Sequence, residues 1–325
     1  MRLLVKQVRY EANGINSYMV VDPTGAELPP FTAGAHLDMF FRDGRVRQFS
    51  ICSDPADRKR YKFAVLRIPP PKGRGGSQAV FDRVHVGRTI ALGEPRNMFP
   101  LDEEAERHLL IAGGIGITPI MAMLTRLQAI EAEFKVVYCT RSPEHTAFMD
   151  ELAPLAEDGR VIYHHDGGNL DMALDIEALL REYRHGTHLY YCGPAGMMSA
   201  VQKASAHWPE GSVHHEYFAG PALPPPAPPG TVHAEDAVGV GFQVKVASTG
   251  AVYDVPNDKS IVKVLEENGV SVSISCNSGL CATCKTRYLE GEPDHKDLIL
   301  SRDEQESVLT PCVSRAKSAM LVLDL

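Results

Sequence analysis

Over the first hundred residues, short apolar runs alternate or cluster between Gly, Pro and Asp turns. Residues 39–41 (Met-Phe-Phe), 48–51 (Gln-Phe-Ser-Ile) and 61–66 (Tyr-Lys-Phe-Ala-Val-Leu) are the clearest. Short strands punctuated in this way predict a small antiparallel barrel over residues 1–101, with a short helix starting near Ser77. After Pro100 the period changes. Residues 108–114 read as a buried strand entering a glycine turn, and residues 119–132 have helical spacing. Strands at 134–139, 161–165 and 187–192, with helices at 147–156 and about 174–183, continue the alternation. Strand–helix alternation predicts a parallel sheet covered on both faces, here over residues 102–220. Residues 221–237 are dense in proline and read as an extended linker. From 238 to 325 the pattern opens with a hairpin around Ser248–Gly250 and a helix at 260–268.

The length of 325 residues fits two or three domains. An apolar fraction of 44% and a charged fraction of 23% are ordinary for a globular protein. The net charge of −8 gives no electrostatic support for nucleic-acid binding. No signal peptide or membrane span is expected.

Seven cysteines change the picture. Cys276, Cys281 and Cys284 are spaced C-x4-C-x2-C, with Cys312 following at a distance. This is the plant-type [2Fe–2S] pattern, and structural zinc would call for C-x2-C pairs or added histidines. Such a cluster carries one electron at a potential on the order of −400 mV. Four cysteines in a metal pattern suit a reducing cytoplasm.

Upstream, two glycine-rich places are candidates for anions. Residues 113–119 (Gly-Gly-Ile-Gly-Ile-Thr-Pro) join a strand to a helix, where free N–H groups and the helix dipole favour a pyrophosphate; tight packing is the bland alternative. The G-x-G-x-x-G fingerprint is absent. Arg47, Arg74, Gly75, Gly76 and Ser77 form a second candidate anion site, although each alone reads more often as a solvated turn. Residues 192–194 (Cys-Gly-Pro) end a strand, where ligands of α/β sheets collect. Cys192 alone reads as a buried small hydrophobe. His164 and His165 read as satisfied imidazoles, and the acidic run Glu290, Glu292, Asp294 and Asp297 as a solvated loop that could also dock a partner.

Arg47–Ser50, Gly75–Ser77, the Pro95–Leu101 stretch, Gly113–Pro119, Cys192–Pro194 and the cysteine loop occur here in one order. That order resembles the phthalate dioxygenase reductase family, the FMN-containing branch of the ferredoxin–NADP reductase superfamily. The resemblance implies a β-barrel flavin domain, an α/β nucleotide domain and a β-grasp plant-type ferredoxin domain. It implies electron flow from NADH through FMN and a [2Fe–2S] cluster to a separate Rieske-type aromatic oxygenase or demethylase. A cluster-based redox regulator and a simple electron carrier are the alternatives. The expected protein is a cytoplasmic monomer, with no nucleic-acid or membrane partner.

Residue by residue, the resemblance places Arg47, Phe49 and Ser50 at the flavin, with Ser50 at its reactive edge. Ala64 and Val65 contact it through the backbone, and Arg74, Gly75, Gly76 and Ser77 hold its phosphate. Gly113, Gly114, Gly116, Thr118 and Pro119 flank the dinucleotide together with Cys192, Gly193 and Pro194. Cys192 lies near the nicotinamide, and Phe218 is the aromatic beside the flavin. Asp166 is expected near a ribose, whereas Arg141 suits either a 2′-phosphate or the pyrophosphate. Three departures stand out: Phe49 for tyrosine, Ala282 for glycine and Asn277 for glutamate. Residues 68–77 contain no aromatic ring for an adenine, which favours FMN over FAD; Tyr61 or Phe81 could still supply one.

Overall fold

The chain begins with a long hairpin, β1 (Arg2–Ala12) and β2 (Ile15–Val21), turning at Asn13 and Gly14. Alternate burial along β2 marks it as a half-buried strand. With β3 (Ala35–Phe40), β4 (Val46–Ser50), β5 (Arg60–Leu66) and β6 (Thr89–Leu92) it forms an antiparallel sheet of order β4-β3-β6-β1-β2-β5. The short β7 (Arg96–Asn97) adds to β3. An isolated bridge from Ile51 to Phe63, with Cys52 N–H donating to the Lys62 carbonyl at 2.7 Å, brings the two outer strands together. The sheet thus curls until its outer strands meet at this one bridge, without a ladder that closes it. A helix, α1 (Gly76–Arg83), lies between β5 and β6.

A parallel five-stranded sheet follows, in the order β10-β9-β8-β11-β12. It is built from β8 (Arg107–Gly113), β9 (Glu133–Thr140), β10 (Val161–His165), β11 (Thr187–Cys192) and β12 (Val213–Glu216), with helices α2 (Ile117–Ala129), α3 (Met149–Glu157), α4 (Ile176–Leu180) and α5 (Ala195–Ala204). The continuous apolar runs of β8 and β11 are what a sheet covered on both faces requires. Leu110, Ala112, Val136, Tyr138 and Tyr190 join one core with the barrel, while Ile111, Leu189 and Tyr191 face Met198, Val201 and Trp208 on the other side.

The computed structural model describes residues 1–71, 73, 75–218, 241–274 and 276–325. Met1–Phe218 forms one unit and Ala219–Leu325 a second. The expected proline-rich linker, residues 221–237, lies outside the described residues, as do Lys72 and Arg74. Within the first unit the barrel and the parallel sheet are joined by their common core and by ion pairs. Arg9 meets Asp150 at 2.6 Å, and Lys62 meets Glu151 at 2.7 Å. The Pro95–Leu101 stretch belongs to this junction: Asn97 holds the Thr32 hydroxyl and Ala33 carbonyl, and buried Phe99 packs on Tyr190.

In the second unit, β13 (Phe242–Val246) and β14 (Val252–Val255) make the expected hairpin, followed by α6 (Ile261–Glu267), capped by the Ser260 hydroxyl. Then come β15 (Thr286–Glu290), β16 (Pro293–Asp294), α7 (Arg302–Gln305), β17 (Val308–Leu309), β18 (Arg315–Ala316) and β19 (Met320–Leu323). The main sheet runs β14-β13-β19-β15-β17, with β13 and β19 parallel at its centre. Val244, Ile261, Leu265, Leu309, Leu321 and Leu323 fill the core between this sheet and α6. Among the described residues no helix is long and apolar enough to cross a membrane.

Candidate functional site

Gly75 takes a left-handed conformation, φ +75°, immediately before α1, and Gly76 opens the helix. A Cβ on Gly76 would lie 2.4 Å from Arg47 Nε, so glycine is what lets the guanidinium cross the helix start. Ser77 accepts from the Ile68 N–H at 3.0 Å, which pins the preceding loop to the helix. An arginine beside free helical N–H groups fits a phosphate dianion. Phe49 stacks on Phe63 at 5.6 Å, so the ring keeps its packing without the usual tyrosine hydroxyl. Ala64 and Val65 are buried on β5, alongside Phe63.

At the end of β4, Ser50 Oγ donates to Glu216 Oε2 at 3.1 Å. Glu216 ends β12, paired with Cys192, so sheet register sets carboxyl and thiol side by side. Burial among protein atoms pushes the Glu216 carboxyl up to about 8, against the opposing hydrogen bond from Ser50. Burial, reinforced by Glu216, likewise holds the fully buried Cys192 thiol well above its ordinary range. Through neutral pH this corner therefore holds a protonated acid, a hydroxyl and a protonated thiol. Glu216 was not among the residues expected from sequence. Phe218, two residues on, is 40% exposed.

The two strand-end turns interlock. A Cβ on Gly116 would lie 2.2 Å from the Cys192 carbonyl oxygen, and one on Gly113 would lie 2.6 Å from Pro194 Cδ. Gly193 packs in turn on the Gly113 backbone. Gly114, with φ +52°, instead faces open space. The Thr118 hydroxyl donates to the Ile115 carbonyl at 3.0 Å, and Thr118 and Pro119 are buried in α2. Packing therefore accounts for Gly113 and Gly116, while Gly114 is required by its left-handed backbone and leaves the space beside it open.

At the ends of β9 and β10, Arg141 and Asp166 lie on adjacent turns: the Gly167 N–H donates to the Arg141 carbonyl at 2.9 Å. Asp166 Oδ1 accepts from Gly168 N–H at 2.7 Å. The Ser142 hydroxyl donates to Glu144 at 2.6 Å.

The cysteine loop of the second unit is tightly folded. Gly279 has φ +69°, and a Cβ there would lie 2.7 Å from Val313 Cγ2. Asn277 and Ala282 are also left-handed, at φ +50° and +52°. The four thiols are free and fall into two pairs. Cys284 and Cys312 approach to 3.2 Å, while Cys276 N–H donates to Cys281 Sγ at 3.4 Å. A hydrogen shared with Cys276 draws Cys281 down to about 5, and one shared with Cys312 lowers Cys284. The same shared hydrogens hold the partners Cys276 and Cys312 well above the usual thiol range, so one thiol of each pair is drawn towards thiolate; two such pairs fit a two-iron centre. Among the described residues no group of three or more His, Cys, Asp or Glu is arranged for a single metal ion.

An anion cradle, a proton-bearing corner at the strand ends and paired thiols in a separate unit are what a flavin-dependent reductase carrying its own ferredoxin requires. Comparison with known proteins sharpens this. Residues 244–317 match the family of 2Fe-2S iron-sulfur cluster binding domains, and residues 94–210 match the dimethylamine monooxygenase subunit DmmA-like N-terminal domain. The chain is 55% identical over 326 residues to a tert-butanol monooxygenase / tert-amyl alcohol desaturase reductase subunit of Aquincola tertiaricarbonis, covering 100% of this chain and 96% of that one. It is 40% identical to the phthalate dioxygenase reductase of Burkholderia cepacia, covering 100% and 97%. A solved phthalate dioxygenase reductase, described as modular for electron transfer from pyridine nucleotides to [2Fe-2S], superposes with a TM-score of 0.74, 40% identity and coverage of 100% and 98%. The chain belongs to the phthalate dioxygenase reductase family. It is an oxidoreductase with a flavin and a [2Fe–2S] centre.

Proposed function

We propose that this chain is the reductase component of a multicomponent oxygenase, passing electrons from NADH to a Rieske-type terminal oxygenase in a separate chain. The observation that carries this reading is the presence, in one chain, of the Arg47–Gly76 cradle with the Ser50–Glu216–Cys192 corner and of the two thiol pairs. When bound, FMN supplies conversion of a hydride's electron pair into single electrons, and the [2Fe–2S] cluster supplies one-electron carriage at low potential.

The chain's residues bind, orient and hold protons. Arg47, Gly75, Gly76 and Ser77 take the FMN phosphate, and Arg74 adds a cation. Phe49, Ala64 and Val65 line the flavin with apolar surface and backbone. Ser50 and the protonated Glu216 keep a hydrogen-bond donor at the corner where β4 meets β12, and Cys192 excludes water there. Gly114 and the amino end of α2 admit the dinucleotide pyrophosphate. Arg141 and Asp166 meet the ribose. Glu144, which engages Ser142, and Asp166 add negative charge around Arg141, favouring NADH over NADPH. Cys276, Cys281, Cys284 and Cys312 ligate the cluster.

The domains run from 1 to 101 for flavin, 102 to 220 for dinucleotide and 238 to 325 for the cluster. We read the chain as a cytoplasmic monomer that meets its oxygenase by diffusion. The substrate belongs to the oxygenase, and the relatives' names span an aliphatic alcohol and an aromatic acid. The aromatic assignment is therefore tested by turnover with both classes of oxygenase. Heat-released flavin identified by chromatography tests the cofactor: one FMN per chain is expected, and FAD would refute it. Comparable kcat/KM for NADH and NADPH would overturn the dinucleotide preference.

A further inference from the structure

We propose that Asp297 is a positioning residue for the iron–sulfur centre: it braces the cysteine loop from behind and holds the centre's reduction potential low. The inference rests on the cluster assignment above.

The turn after β16 is built around this side chain. Asp297 Oδ1 accepts from the Leu300 N–H at 2.9 Å and from the Ile299 N–H at 3.3 Å. The Leu298 N–H donates to the Gly279 carbonyl at 3.2 Å, tying the turn to the loop between Cys276 and Cys281. Contact is direct on the other side as well: a Cβ on Gly279 would lie 3.0 Å from Asp297 Cα and 3.2 Å from its Cβ.

The turn uses only one carboxyl oxygen. Asp297's side chain is 0% exposed, and Oδ2 has no hydrogen-bond partner among the described residues. His295 Nδ1 stands 3.6 Å away, beyond a hydrogen bond, and is itself without one. The neighbouring Lys296 turns instead to Asp294 at 2.8 Å. An asparagine would cap Ile299 and Leu300 equally well through its amide oxygen, so the capping role does not explain a buried carboxyl whose second oxygen is left without a hydrogen bond. Its position explains it. Negative charge behind the loop opposes arrival of an electron, and the effect is larger where water is excluded. Net charge and exposure are among the factors that set the potentials of these centres.

The test uses the full chain with its cofactors. Iron and acid-labile sulfide are first measured in the parent protein, where absence of both would remove the cluster assignment and this inference with it. Asp297→Asn is then expected to keep its cluster and the EPR signal of the reduced centre. Its equilibrium constant for cluster reduction should rise about tenfold, or about 59 mV for one electron. Asp297→Ala, which also loses the Oδ1 cap, should retain less iron, and Asn should rescue retention but not potential. An unchanged or lower potential in Asp297→Asn would overturn the proposal. So would loss of the cluster from that variant, since the second oxygen would then be structural, and so would full retention in Asp297→Ala.

Discussion

The two halves of the electron path are built in opposite ways. The cysteine loop gathers three of the four proposed ligands within nine residues and needs only Cys312 from afar, so its chemistry is local in sequence. The flavin-side corner joins Ser50 to Glu216 across 166 positions and three strands of register. A local site is fixed by spacing and turn geometry; a distributed one exists only once sheets have paired. Damage to the first should therefore be contained, whereas damage to the second should spread into kinetics and pH dependence.

The largest expected effect breaks the comparison at the local site. In Cys281→Ser, a harder oxygen ligand replaces a thiolate, and reduction of cytochrome c should fall by more than about 100-fold. NADH-to-ferricyanide activity should survive, because the flavin corner lies in the other unit. Equal loss of both activities in a folded variant would count against separate sites.

Next comes the cradle. Arg47→Ala removes charge-assisted bonds to a phosphate dianion, each on the order of 1.5–3 kcal/mol, so FMN should bind roughly tenfold to 100-fold more weakly. Fluorescence titration of the flavin-free protein measures this, and unaltered affinity would shift the phosphate site elsewhere.

Glu216→Gln should act through pH. With its carboxyl raised to about 8, Glu216 is neutral below that pH and gains a negative charge above it. A charge there opposes delivery of electrons to the flavin, so its reduction by NADH should slow as pH rises through about 8. The Gln variant should show no such fall. Rapid mixing across pH 6 to 10 checks this, and an identical profile in the variant would dismiss Glu216.

The smallest effect lies in the loop. Ala282 adopts φ +52°, a conformation that glycine takes without a Cβ penalty. Ala282→Gly should relieve that strain, though the more flexible unfolded chain offsets part of the gain, leaving at most about 1 kcal/mol. Denaturant unfolding of the metal-free protein measures it.

The same contrast explains what the sequence could reveal. The cysteine spacing alone pointed to a two-iron centre, and the strand–helix alternation after Pro100 reappears as β8 to β11. Glu216 was missed because β12 is only four residues long. Its period-2 signal was nonetheless present: Val213 and Tyr217 pack on one face, while His214 stacks on Tyr190 at 4.4 Å on the other. The two-residue strands β16, β17 and β18 carry no readable period at all. Asn277 and Ala282 could be marked as departures from the family loop, but their left-handed backbone is visible only in the fold. Gly113 and Gly116 carry a packing duty that the sequence does not show: both are needed for two turns to interlock.

On the proposed path, electrons enter through the flavin corner and leave through the cysteine loop of one chain. Anaerobic rapid mixing with NADH, followed by visible absorbance, tests it most directly. The expected result is bleaching of flavin followed by reduction of the cluster in the complete protein, with neither change in protein stripped of flavin. Cluster reduction at the same rate without flavin, or flavin reduction that never reaches the cluster, would contradict it.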